Sequence, residues 1–176
     1  MTEAPIQALA RLLDRADIPY ALIGGHAVNT LLEPRLTRDI DVTVVASAEG
    51  IGRLRAALEA EGFQLEREFG SELPSGPDFL RFVSEPVVIE VQTAKTRYQH
   101  DVVRRAASED GVRVASPEDL IVLKLIADRP KDQEDLRGLA RLRSLDWSYV
   151  ERCTEEWDVQ GRLRRLRAQI RAPDEG

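Results

Sequence analysis

Two aspartates, Asp39 and Asp41, stand either side of Ile40 in the run 39–46 (DIDVTVVA), which is rich in β-branched residues and reads as a strand. Residues two apart on a strand point to the same face, so the two carboxylates lie side by side, about 6–7 Å apart. Like charges at that spacing repel unless a cation lies between them. Mg²⁺ takes oxygen ligands, usually one or two carboxylates together with phosphates and water, so the pair forms a natural half-site for it. Leu36, Ile40 and Val42 are apolar and are expected to face the core. Upstream, Tyr20-Ala21-Leu22-Ile23 reads as a buried strand closed by Gly24-Gly25, where the missing side chains let backbone approach a phosphate. A helix expected from His26 to Leu32 would aim its N-terminal N–H groups at the same place.

A third carboxylate is expected on a neighbouring strand, and Val87-Val88-Ile89-Glu90-Val91 supplies one. Asp78 and Glu85 also lie near strands, but only Glu90 has apolar neighbours on both sides, where an unpaired charge is costly. Three acids so placed suit phosphoryl transfer with two metal ions, one activating the attacking hydroxyl and one stabilising the leaving oxygen. Asp39, Asp41 and Glu90 would hold the metal on the attacking side. Deprotonation of the acceptor falls to Glu90 or to the metal itself.

The elements that must position these groups can be read from periodicity. Residues 5–16 place Ile6, Leu9, Leu12 and Leu13 on one helical face, and Asp17-Ile18-Pro19 ends that helix. Residues 48–61 form an amphipathic helix that Gly62 can cap. Strand-like runs follow at 63–68, 79–84, 86–93 and 111–115, with a Gly-, Pro- and Ser-rich loop at 70–78. Ser116-Pro117-Glu118-Asp119 is a helix start, and the rest is helical with breaks near Pro130, Ser144 and Asp158, before a frayed tail APDEG. The expected architecture is α+β, a central mixed sheet flanked by helices. Its α/β part is residues 1–115, and its helical C-terminal part is 116–176.

The Gly24-Gly25 pair, the thirteen residues separating it from Asp39-Ile40-Asp41, and a later acid within a strand resemble the signature of the polymerase-β-type nucleotidyltransferase superfamily. Arg35-Leu36-Thr37-Arg38-Asp39-Ile40-Asp41 and the run from Ser116 to Leu136 resemble the small bacterial members related to the AbiEii/AbiGii toxin nucleotidyltransferases. The resemblance covers residues 5–140. It implies the nucleotidyltransferase fold and transfer of a nucleoside monophosphate from an NTP to a hydroxyl, with Mg²⁺ and release of pyrophosphate. It implies Asp39, Asp41 and Glu90 as catalytic metal ligands. Arg35 and Arg38 flank Thr37 just before the carboxylates, so one of them could contact a triphosphate admitted by Gly24 and Gly25, and by resemblance Lys124 and Asp132 lie near the nucleotide. A tRNA end, a protein hydroxyl and a small molecule such as an antibiotic are all compatible acceptors. A second class of function is a toxin–antitoxin component acting through a cognate partner protein or nucleotide binding.

Composition bounds these readings. The chain has 176 residues, 43% of them hydrophobic, enough to bury a core. No apolar run approaches the roughly 20 residues a membrane span needs, and the N-terminus lacks a signal-peptide pattern, so a cytoplasmic location without a membrane partner is expected. The single cysteine, Cys153, excludes an internal disulfide framework. A net charge of −6 argues against a surface that is wholly a nucleic-acid footprint. The one basic cluster, Arg162 to Arg171, places Leu163, Leu166 and Ile170 on one helix face and Arg164, Arg167 and Arg171 on another. A solvated Arg stripe beside a packed Leu stripe is favoured there over an RNA contact. Trp147, Tyr149 and Trp157 are expected in the core of the helical part.

Overall fold

The computed structural model describes residues 4–70 and 76–171. Most of the loop expected at 70–78, and the tail APDEG, lie outside the described residues. The chain divides into two compact units: residues up to 27 together with 35–115, and residues 28–34 together with those from 116 onward. Residues 28–34, which the sequence assigns to the α/β part, thus cluster with the helical unit. Among the described residues no helix is long and apolar enough to cross a membrane.

The first unit is an α+β structure around one mixed sheet. Its strands are β1 (Tyr20–Ile23), β2 (Asp39–Val44), β3 (Gln64–Phe69), β4 (Phe79–Ser84), β5 (Val87–Thr93), β6 (Ala107–Glu109) and β7 (Val112–Val114). Their spatial order is β3-β4-β5-β2-β1-β7-β6. The β2–β5 and β1–β7 pairs are parallel and the other pairs antiparallel. The centre of the sheet is therefore the β5-β2-β1 trio, where the acids expected to do chemistry are found. Ile40, Val42 and Val44 are buried, as their alternation with the aspartates requires.

Helix α1 (Pro5–Arg15) starts on proline and buries Leu9, Leu12 and Leu13, a stripe at helical spacing. Burying each of these leucines contributes about 1.5–3 kcal/mol. Helix α3 (Ala48–Ala60) is capped by Ser47, whose hydroxyl accepts from Gly50 N at 3.2 Å, and buries Ile51, Leu54 and Leu58. Gly62 follows it at φ +89, the left-handed conformation that glycine tolerates after a helix. Residues 94–110 carry no expected element, yet they hold helix α4 (Arg97–Arg105) and strand β6. Helix α4 opens with a capping box between Thr96 and Gln99 and buries Tyr98, Val102 and Val103. Strand β6 is exposed along its whole length, so no apolar alternation marks it.

Helix α2 (Gly24–Val28) begins two residues earlier than expected and is only five residues long. The N–H groups of Leu31 and Leu32 both return to the Val28 carbonyl, at 2.9 and 3.0 Å, closing the chain in turns before Pro34. Leu36 is 87% exposed, against the expectation that it faces the core. It precedes β2 and is not part of the strand alternation.

In the second unit α5 (Pro117–Ala127) is the central helix. Ser116 caps it, accepting from Asp119 N at 3.1 Å. Around it lie a 3₁₀ turn (Pro130–Asp132), α6 (Gln133–Ala140), α7 (Trp147–Glu156) and α8 (Gln160–Arg171). Tyr149 is buried and its hydroxyl donates to Asp119 at 2.6 Å. Trp157 is 37% exposed, and Trp147 is half-buried beneath the Arg167 guanidinium, 4.8 Å from the ring centroid. Of the three aromatics expected in this core, only Tyr149 is fully in it. On α8, Leu163 and Leu166 are buried while Arg164, Arg165 and Arg171 are exposed. Arg162 donates to the carbonyls of Leu125 and Ile126 at 2.7 and 2.9 Å, satisfying the open C-terminal end of α5.

Candidate active site

The register of the sheet brings the acids together. Asp41 of β2 pairs with Ile23, the last residue of β1, and on its other side with Glu90 of β5. Glu90 pairs in turn with Arg81 of β4. Directly paired residues share a face of a sheet, so Asp41, Glu90 and Arg81 form a row across three strands, about 5 Å from strand to strand. Asp39 lies on the same face two residues before Asp41. Asp39, Asp41, Arg81 and Glu90 are all half-buried. Of the alternatives for the third acid, Glu85 lies in the turn between β4 and β5 and Asp78 precedes β4, so neither is in register beside Asp41.

The two glycines are explained by what stands against them. Gly24 has φ +69, and a Cβ placed there would lie 2.1 Å from Oδ2 of Asp41. A Cβ on Gly25 would lie 2.7 Å from the Thr37 hydroxyl and 3.4 Å from Nη2 of Arg35. The glycines therefore admit the Asp41 carboxylate and the Thr37 side chain, where the sequence suggested room for a phosphate. The same contacts bring Arg35 and Thr37 to the turn that carries Gly24 and Gly25. Arg38 is exposed on the segment leading into β2.

Arg81 was not foreseen. Its Nε donates to Glu66 of β3 at 2.7 Å and its Nη1 donates to Glu90. Burial opposes its charge, but the hydrogen bonds to Glu66 and Glu90, with the charges of Glu90 and Asp39, outweigh that and raise its pKa above the ordinary value. A charged residue in the apolar strand Phe79–Ser84 was the available signal, the same one that singled out Glu90. His26 lies in α2, and burial lowers its pKa below 6.5; Arg35 adds to the shift and Asp39 opposes it. The shift favours the neutral imidazole.

Lys124 and Asp132 belong to the helical unit. The Lys124 ammonium donates to Asp132 and to Asp135, at 2.7 Å each, and all three residues are almost fully buried. Arg129 adds a bond to Asp132 at 2.6 Å. These charges satisfy one another inside the unit, which gives them a physical reason to be there independent of any nucleotide.

Among the described residues, no three Asp, Glu, His or Cys side chains are already gathered as a metal cluster. Asp39, Asp41 and Glu90 nevertheless suit a hard divalent cation. All are carboxylate donors on adjacent strands, and the Asp41 carboxylate keeps its place because Gly24 has no Cβ. Glu90 is engaged by Arg81.

The same fold occurs in solved structures of low sequence identity. The solution structure of the antibiotic-resistance factor ANT(2'')-Ia has a TM-score of 0.62 at 20% identity, covering 93% of this chain and 94% of that one. A crystal structure of ANT(2'')-Ia in complex with adenylyl-2''-tobramycin has a TM-score of 0.59 at 20% identity, covering 87% and 94%. The lincosamide antibiotic adenylyltransferase LnuA, lincomycin-bound, has a TM-score of 0.61 at 17% identity, covering 80% and 98%. No curated protein sequence matches. The family model described as nucleotidyltransferase of unknown function (DUF6036) matches residues 4–168, nearly the whole chain, and the chain belongs to that nucleotidyltransferase family.

Proposed function

We propose that this protein transfers a nucleoside monophosphate from an NTP to a hydroxyl of a small polar acceptor, releasing pyrophosphate, with Asp39, Asp41 and Glu90 as its Mg²⁺ ligands. The observation that carries the proposal is the register pairing of Asp41 with Glu90 on the face that also holds Asp39, beside the Gly24-Gly25 turn. A two-metal arrangement suits this donor set, because three carboxylates can be shared between two cations whose remaining ligands are phosphate oxygens and water. Bound there, the metal supplies neutralisation of phosphoryl charge and acidification of the acceptor hydroxyl. The chain's own residues position the substrates. Thr37 and Arg35, held at the glycine turn, and Arg38 on the same loop are assigned to the triphosphate, where an Arg fork can contact phosphate oxygens bidentately. Glu90 is assigned to receive the acceptor proton. In the transfer, the acceptor oxygen bonds to the α-phosphorus, the bond to the bridging oxygen breaks, and pyrophosphate leaves. We assign no nucleotide contact to Lys124 and Asp132, because their charges are already paired within the helical unit.

A small acceptor is favoured because ANT(2'')-Ia and LnuA, which share the fold, are an antibiotic-resistance factor and an antibiotic adenylyltransferase. The test is a screen of labelled NTPs with Mg²⁺ against aminoglycosides, lincosamides, tRNA and a cell extract. Label transfer that is lost in Asp39→Ala with Asp41→Ala supports the proposal. Equal behaviour of wild type and double variant with every acceptor rejects it. The toxin–antitoxin reading rests on the likeness of Arg35 to Asp41 and of Ser116 to Leu136 to the AbiEii/AbiGii group. That reading, action through a cognate partner protein with catalysis weak or lost, predicts growth arrest on expression that persists in this double variant; arrest that the double variant relieves would count against it.

A further inference from the structure

Arg81 occupies a position that no nucleotide-transfer scheme for Asp39, Asp41 and Glu90 requires. It lies on the strand next to Glu90, in register with it, and donates to it directly. Its Nε is meanwhile held at 2.7 Å by Glu66, which is about half exposed on β3. Arg81 and Glu90 are each about three-quarters buried, so their ion pair is shielded more than a surface pair, while Glu66 remains in contact with solvent. Without Arg81, Glu66 and Glu90 would lose the guanidinium they share, with Glu90 standing in register beside Asp41. A guanidinium cannot lose its proton at any physiological pH, so its charge is permanent there.

We propose that Arg81 is the resident counter-ion of Glu90, a positioning residue that competes with the divalent cation for this carboxylate and is retained by Glu66 when Glu90 is released. This inference rests on the metal-site reading above. Glu90 is then a ligand available only in exchange for Arg81. Glu90 joins the other two carboxylates as a ligand when the incoming charge exceeds what Arg81 supplies. The three-carboxylate site is thus kept from holding metal tightly on its own. Such a site closes most readily when nucleotide phosphates bring further ligands to the cation and another partner for the guanidinium.

The experiment measures Mn²⁺ affinity by calorimetry in the absence of nucleotide. Arg81→Gln should bind Mn²⁺ roughly three- to tenfold more tightly than wild type, the range expected for losing one half-shielded ion-pair competitor. Arg81→Lys, which keeps the charge, should stay within about twofold of wild type. The gain should vanish when Glu90→Gln is added to Arg81→Gln. Thermal melting should show a larger Mn²⁺-induced stabilisation for Arg81→Gln than for wild type. If Arg81→Gln binds no more tightly than wild type, or the gain survives Glu90→Gln, the counter-ion role is overturned. Asp41→Asn serves as the separate control: if it leaves wild-type Mn²⁺ affinity unchanged, the metal-site reading falls and the present inference with it. A measurement on the unaltered protein guards against misfolding. The Arg81 guanidinium NMR signals should shift on Mg²⁺ titration in step with the amides of residues 39–41, and static Arg81 signals beside moving amides would refute the exchange.

Discussion

Gly24→Ala tests whether the glycine turn exists to seat Asp41. The new Cβ would stand 2.1 Å from Oδ2 of Asp41, 2.7 Å from its Cγ and 2.9 Å from its Cβ, so the aspartate must move. The backbone there has φ +69, which costs an alanine about 1–2 kcal/mol. Forcing a side chain aside in a filled space adds about 1–3 kcal/mol. The variant should therefore lose about 2–5 kcal/mol of unfolding free energy and still fold, given typical stabilities of about 5–15 kcal/mol. Urea unfolding followed by circular dichroism measures this. Gly25→Ala provides the contrast. Its φ is not positive, so it carries no left-handed backbone cost, and its obstacle is the Thr37 side chain at 2.7 Å, so its cost should stay within the about 1–3 kcal/mol of displacing one packed side chain. Adding Asp41→Ala removes Oδ2 and Cγ, and the penalty for Gly24→Ala should then shrink towards the backbone cost of about 1–2 kcal/mol. A Gly24→Ala loss below about 1 kcal/mol, or a penalty that Asp41→Ala leaves unchanged, would refute the reasoning.

The helical unit makes three further predictions. Lys124→Ala leaves Asp132 and Asp135 buried without their ammonium and should cost about 3–5 kcal/mol in urea unfolding; adding Asp132→Asn and Asp135→Asn should recover part of it. Burial opposes the charge on Asp132, but bonds from Arg129 and Lys124 outweigh it and hold its pKa below the ordinary value. Its contribution should thus be complete above about pH 4 and be lost as pH falls through the lowered folded value, a slope that acid titration of stability should show reduced in Asp132→Asn. Tyr149→Phe removes a 2.6 Å bond to the buried Asp119 and should cost about 1–3 kcal/mol by the same unfolding measurement.

What the sequence made legible follows the strength of its physical signals. Asp39, Asp41 and Glu90 stood out because charge in an apolar, alternating run demands a partner, and the register does set Asp41 beside Glu90. Proline and serine at 116–117 announced α5 because capping chemistry is local. Register itself is not local: that β2 pairs with both β1 and β5 depends on crossovers no short window contains, so Arg81 stayed hidden although its strand was recognised. Leu36 was misjudged because apolar character alone does not bury a residue outside the strand's alternation. Helix α4 escaped notice because only three apolar residues, Tyr98, Val102 and Val103, anchor an otherwise charged sequence. Its Thr96-x-x-Gln99 capping box was the readable cue. Lys124 and Asp132 look alike as site or scaffold residues until their mutual burial is seen.

The central claim is that the Asp39–Asp41–Glu90 face performs metal-dependent nucleotidyl transfer. Its most direct test is acceptor-dependent pyrophosphate release from NTP with Mg²⁺, compared between wild type and Asp41→Asn, which preserves shape and removes charge. The account predicts release by wild type that EDTA abolishes and a loss of at least about a hundredfold in Asp41→Asn, on the scale of removing one transition-state electrostatic contact. Release that Asp41→Asn or EDTA leaves untouched would contradict it.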